Sequence, residues 1–155
     1  MTRLGIVLAA SLGLASTFAP APLAGQDVGV TGAAEAALPD GATFNGVSLK
    51  GLTLGQGIFI GQDGSAKGQF QAVLQGVSAL GSPQDIVVEG EVSSGSAGDG
   101  TATFSGTATV SMGEGTLPLT NVPFTVTASA GSLGLILNGA ALPTATLSAG
   151  SIAMQ

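Results

Sequence analysis

From Thr101 to Met112 the chain alternates without a break. Ala102, Phe104, Gly106, Ala108, Val110 and Met112 fall on one phase, and Thr101, Thr103, Ser105, Thr107, Thr109 and Ser111 on the other. A two-residue period puts successive side chains on opposite faces of a sheet, so this stretch predicts a half-buried strand with a hydroxyl-rich outer face. Gly113-Glu114-Gly115 interrupts it and alternation resumes over Thr116 to Ala128, which predicts an antiparallel hairpin closed by a short glycine loop. The returning strand slips phase: Leu117 and Leu119 are apolar on odd positions, and Val122, Phe124, Val126 and Ala128 on even ones. A β-bulge between Thr120 and Asn121 restores a common inner face. Pro118 and Pro123 cannot donate to a ladder, which predicts an edge strand here.

The same alternation recurs on both sides of this hairpin. Ala66, Gly68, Phe70, Ala72 and Leu74 oppose Lys67, Gln69, Gln71, Val73 and Gln75, after an Asp63-Gly64 pair that suits a type I′ turn. Ile86, Val88, Gly90 and Val92 oppose Asp85, Val87, Glu89 and Glu91, and Ser93 to Gly100 reads as a Gly/Ser loop. Leu133, Leu135 and Leu137 share a phase, Asn138-Gly139 turns, and Thr144 to Met154 forms a last strand whose phase slips near Gly150. Upstream, Phe44 to Lys50 and Leu52 to Ile60 carry strand residues with the phase broken around Gly51, Gly55 and Gly57. The sum is an all-β fold: an antiparallel meander of about eight strands, closed as a sandwich or a barrel. An outer-membrane barrel would need aromatic girdles, which a chain with no Trp, no Tyr and 6 Phe does not supply.

The N-terminus follows another logic. Arg3, an apolar run from Leu4 to Leu14 and small residues at Ala19, Ala21 and Ala24 predict a secretory signal peptide over 1–24, too short to span a membrane. Residues 25–42 carry the turn signal Pro39-Asp40-Gly41 and no sustained period. They are expected to be a lead-in, with a helical turn over Ala33 to Leu38, ahead of a single β-domain over 43–155. The expected location is therefore secreted, periplasmic or cell-envelope, in a bacterial setting.

Composition narrows the function. Three basic and nine acidic residues give a net charge of −6, and loss of Arg3 leaves Lys50 and Lys67 against the nine carboxylates, 2 − 9 = −7. Nucleic acid is excluded as a partner, because two lysines and no Trp or Tyr can neither neutralise a phosphate backbone nor stack bases. With no His and no Cys the chain lacks an imidazole base, a thiolate ligand, a Ser-His-Asp arrangement and a disulfide framework. No cofactor motif is present: Gly55-Gln56-Gly57 with Gly61 misses the dinucleotide spacing and opens no helix. Ser65 and Lys67 follow a turn in water, where the lysine has no reason to lose its proton.

One acidic row remains. Asp85, Glu89 and Glu91 share an outer face, and with Asp99 they form the one candidate Ca²⁺ site, although no EF-hand-like run is present and a solvated face is the simpler reading. The expected function is an exported, non-catalytic β-domain with a structural, adhesive or envelope-associated role. A barrel carrying an apolar ligand and a carboxylate-pair glycosidase are the alternatives, and self-association through an edge strand stays open.

Overall fold

The computed structural model describes residues 26–155, and the expected signal peptide lies outside them. Ten strands follow in order: β1 Val28–Ala37, β2 Thr43–Phe44, β3 Val47–Ile60, β4 Ser65–Val77, β5 Pro83–Gly98, β6 Thr101–Ser111, β7 Leu119–Ser129, β8 Ser132–Leu137, β9 Ala140–Ala141 and β10 Ala145–Met154. All pairings are antiparallel, and β1 bonds to both β10 and β3, so β1, β3–β8 and β10 close into an eight-stranded ring. The two-residue strands β2 and β9 lie off it, against β3 and β8. The fold is a barrel rather than a two-sheet sandwich.

Following facing residues around the ring gives its pitch. Gly98 faces Thr101, which faces Ser129, whose hydroxyl meets that of Ser132. Ser132 faces Thr146, then come Ala37, Gly51, Gln75 and finally Asp85, back on β5. One circuit moves 98 − 85 = 13 residues along β5, so the strands are strongly tilted and the interior is wide enough to hold large side chains. Those side chains are the ones that alternation placed inward. Phe70, Phe104 and Phe124 are buried at its centre, with Phe70 stacked on Phe124 at 5.8 Å between ring centroids and tilted against Phe104 at 6.1 Å. Gly90 lies directly beneath one ring, where an added Cβ would come within 2.6 Å of Phe124 Cε1.

Several expectations need correcting. Residues 28–37, expected as a lead-in with a helical turn, form β1, the strand that closes the ring. The stretch around Pro123 is no free edge. β7 lies between β6 and β8 over Phe124–Ala128, and the bulge does fall where the phase slips, with Thr120 and Asn121 together opposite Thr109. Pro123 is tolerated because the Asn138 N–H donates to its carbonyl at 2.9 Å just past the end of β8. Its missing donor therefore points where the ladder has already stopped. Pro118 lies in the loop, which runs from Met112 to Pro118 and is longer than expected.

The type I′ turns also sit elsewhere. Asp99-Gly100, Asn138-Gly139 and Asn45-Gly46 have both residues at positive φ (54 and 73, 52 and 79, 47 and 82) between facing strand ends. At Asp63-Gly64 only the glycine does, with φ 84. Consequently β5 continues to Gly98, through what reads as a loop in the sequence.

Candidate functional site

The acidic row projects from the outer wall of the barrel. Odd residues of β5 from Asp85 to Glu91, ahead of its bulge at Ser93, point away from the core, and register then fixes their neighbours: Glu91 lies between Gln69 of β4 and Thr107 of β6, and Glu89 between Gln71 and Thr109. The bulge in β7 adds Thr120 and Asn121, with Asn121 held at φ 54. These side chains line an open groove of about 550 Å³ whose floor is the backbone at Gly90 and Ala108. Both glutamates are exposed, and two residues along a strand set them about 6.6 Å apart at the backbone.

Such a groove presents amides that donate and accept, carboxylates that accept, and hydroxyls that do both. It has the chemistry to meet a neutral polar surface through hydrogen bonds. A calcium site demands convergence instead, with six to eight oxygens around one point. The row does not converge. Asp85 faces Gln75 four residues before Glu89, about 13 Å along the strand, and Asp99 sits in the β5–β6 turn eight residues past Glu91, about 26 Å away. Among the described residues no group of three His, Cys, Asp or Glu side chains could hold a metal ion. The structure therefore brings Glu89 and Glu91 together and leaves Asp85 and Asp99 apart from them.

Ser65 and Lys67 are both exposed, and Ser65 is engaged elsewhere. Its hydroxyl donates to Asp63 Oδ1 at 2.6 Å and its N–H to the same oxygen at 3.0 Å. Those bonds favour the charged carboxylate and hold Asp63 below the usual aspartate range. The pair staples the β3–β4 turn, which closes through the Gly61 N–H donating to the Ser65 carbonyl at 2.8 Å.

Gln69, Gln71, Thr107, Thr109, Thr120 and Asn121 escaped the sequence search as site residues. Parity alone showed them to be outward, but their meeting in one groove depends on the register of three neighbouring seams. Nor did the sequence single out Gln56, which points inward between Leu54 and Ile58. Only 8% of it is exposed, and neither its Oε1 nor its Nε2 has a hydrogen-bond partner.

At one end of the barrel a second depression of about 360 Å³ is lined by Val28, Ile60, Gln62, Gly95 and Ala97 among others. No described helix is long and apolar enough to cross a membrane. Comparisons with protein-family models, with curated proteins and with solved structures gave no match.

Proposed function

We propose that this chain is an exported, non-catalytic β-barrel of the bacterial envelope or its surroundings, acting as an adhesive or structural module through its outer surface. The observation that carries this reading is the filled interior. The three packed phenylalanines and the aliphatic residues around them occupy the space that a carrier barrel would reserve for cargo. Contacts with other molecules are then left to the wall, where amides, carboxylates and hydroxyls share one groove. The distribution of polarity supports an aqueous setting. Gln69, Gln71, Glu89 and Glu91 face outward at mid-strand, where a lipid-facing barrel would carry its apolar band.

The non-catalytic part of the reading rests on residue types. The chain has neither imidazole nor thiol, and Glu89 and Glu91 stand exposed on the open outer wall rather than in a closed cleft. The test is a panel of glycosides and polysaccharides offered to the wild type and to the Glu89→Gln/Glu91→Gln double variant, scored for both binding and turnover. Retention without turnover, weakened in the variant, fits a binding module. Turnover by the wild type that vanishes in the variant would overturn the proposal and make the glutamates an acid/base pair.

A further inference from the structure

The outward phase of β3 holds Gly55, Gly57 and Phe59. Many glycines of this barrel answer to the backbone, because they sit at positive φ or where an added Cβ would strike a neighbouring strand. Gly55 and Gly57 do neither: their φ lies outside the left-handed region, and a Cβ at either would meet nothing within 4 Å. The register of β3 with β1 and β4 also runs unbroken through both, so they serve no bulge. Glycine weakens a strand interior, and the use that remains for bare backbone here is the close approach of a ligand from outside. Phe59 is the complementary case. Phe44, Phe70, Phe104 and Phe124 are buried, whereas Phe59 is 53% exposed. It stands two residues from Gly57 on the same face, about 6.6 Å along the strand.

Register joins this patch to the polar groove. Gly57 faces Gln69 and Gly55 faces Gln71, and the same two glutamines face Glu91 and Glu89 on their other side. A depression of about 220 Å³ over the two glycines is thus continuous with the groove through Gln69 and Gln71. From β3 to the bulge of β7 the trough crosses four strand spacings, about 19 Å. We infer that it binds a linear, uncharged polysaccharide lying across the strands, with a sugar ring packed on Phe59 beside the bare backbone at Gly57. The inference rests on the reading of the outer wall as the contact surface and names its ligand class. A pyranose has an apolar C–H face and a rim of hydroxyls that both donate and accept. It therefore needs an aromatic face at one place and amides and carboxylates at others, and this trough sets them side by side. An acidic chain would be opposed by Glu89 and Glu91, and Lys67, which faces Phe59, offsets one of the two charges.

The test offers the purified secreted chain tetrasaccharides of a glucan, a mannan and a xylan, with tetragalacturonate as the charged control, and reads binding by isothermal titration. At least one uncharged tetrasaccharide should bind, and the galacturonate should not. Phe59→Ala should weaken that binding roughly fivefold or more, and Phe59→Tyr should restore it. Gly57→Thr puts a side chain into the trough and should weaken binding roughly tenfold or more. Its urea midpoint should be unchanged or raised, because threonine suits a strand better than glycine, whereas a glycine needed only by the fold would give a lowered midpoint. A wild type that binds no uncharged tetrasaccharide, or binds the galacturonate as well, would overturn the inference. So would equal affinity in the wild type, Phe59→Ala and Gly57→Thr. If that equality came with weakening in Glu89→Gln/Glu91→Gln, the groove would stand as the contact surface and only its extension over β3 would fail.

Discussion

Gln56 offers a direct measurement of what an orphaned amide costs this barrel. The residue faces inward on β3 opposite Gly32 and Phe70, and both polar atoms of its side chain are buried without a partner. Removing an amide from water without replacing its hydrogen bonds costs about 1 to 3 kcal/mol in proteins. Methionine has nearly the same length and shape and fills irregular gaps, so Gln56→Met keeps the packing and deletes the penalty. The variant should therefore be more stable by about 1 to 3 kcal/mol. With an m-value of about 2 kcal/mol/M, typical of a small domain in urea, a 2 kcal/mol gain moves the unfolding midpoint up by about 1 M at unchanged slope. Two further variants fix the interpretation. Gln56→Ala removes packing along with the amide and should lie below Gln56→Met, and Gln56→Glu, which buries an unpaired carboxyl, should be the least stable of the set at neutral pH and recover partly in acid. An unchanged or lowered midpoint for Gln56→Met would refute the reasoning, because it would mean that the amide already has its hydrogen bonds in solution.

The remaining predictions follow from the same geometry. Phe104→Ala should cost about 3 to 5 kcal/mol in a urea titration, whereas Thr103→Ala, on the outer face 3.4 Å from the Thr127 hydroxyl, should cost no more than about 1 kcal/mol. Gly90→Ala drives a methyl group into the Phe124 ring and should cost about 1 to 3 kcal/mol, partly rescued by Phe124→Leu in the same assay. Asp63 titrates below the usual aspartate range because Ser65 hydrogen-bonds its charged form, so the staple's contribution is present above the ordinary aspartate pKa and is lost as pH falls through the lowered one. By carboxyl NMR titration, Ser65→Ala should move Asp63 back up, and an unmoved midpoint would remove Ser65 as the cause. Intact mass of the exported protein should place its N-terminus near Gly25, and an exported form retaining Met1 would refute cleavage.

What the sequence disclosed was parity, and what it withheld was register. The long alternating runs assign most of their inner faces correctly, because Phe70, Val88, Phe104, Val126 and Leu135 contrast sharply with the Gln, Glu and Thr residues between them, but Leu117 and Leu119, read as inward ahead of the bulge, are exposed, Leu117 in the loop and Leu119 at the start of β7. β1 escaped notice for the opposite reason. In VGVTGAAEAA the inward Ala34 and Ala36 differ little in size from the outward Ala33 and Ala37, so a strand buried on one face gives almost no periodic signal. Two of the three Asp-Gly pairs show a second limit. Asp99-Gly100 closes strands that face each other directly at Gly98 and Thr101, whereas Asp63-Gly64 sits in a longer turn opened at Gly61, and the dipeptide alone does not distinguish them. The candidate site divides along the same line. That Glu89 and Glu91 point outward was legible, but their flanking by Gln71, Gln69, Thr109 and Thr107 is a property of the pairing, and the distance to Asp99 is set by how far β5 continues.

Closure of the ring explains which surfaces this barrel leaves exposed. Burial must hold this chain together, since it has no disulfide, and only two lysines lie in the described part to pair with the carboxylates there. Closing eight strands lets one continuous core serve that purpose and removes most exposed edges, at the cost of filling the interior with side chains whose replacement would loosen the whole barrel. Outward positions carry no such constraint, so substitutions at the Gln, Glu and Thr residues of the groove should disturb the fold far less than substitutions on the inner phase. The seam is the exception to closure. β8 is only six residues long and β10 is ten, so their pairing ends before β10 does. Any β10 long enough to complete the other side of the ring against β1 must overhang so short a neighbour. Among the described residues, the unpaired stretch of β10 is thus a consequence of how this barrel closes, and the bulge at Ser148 falls where the pairing with β8 has ended.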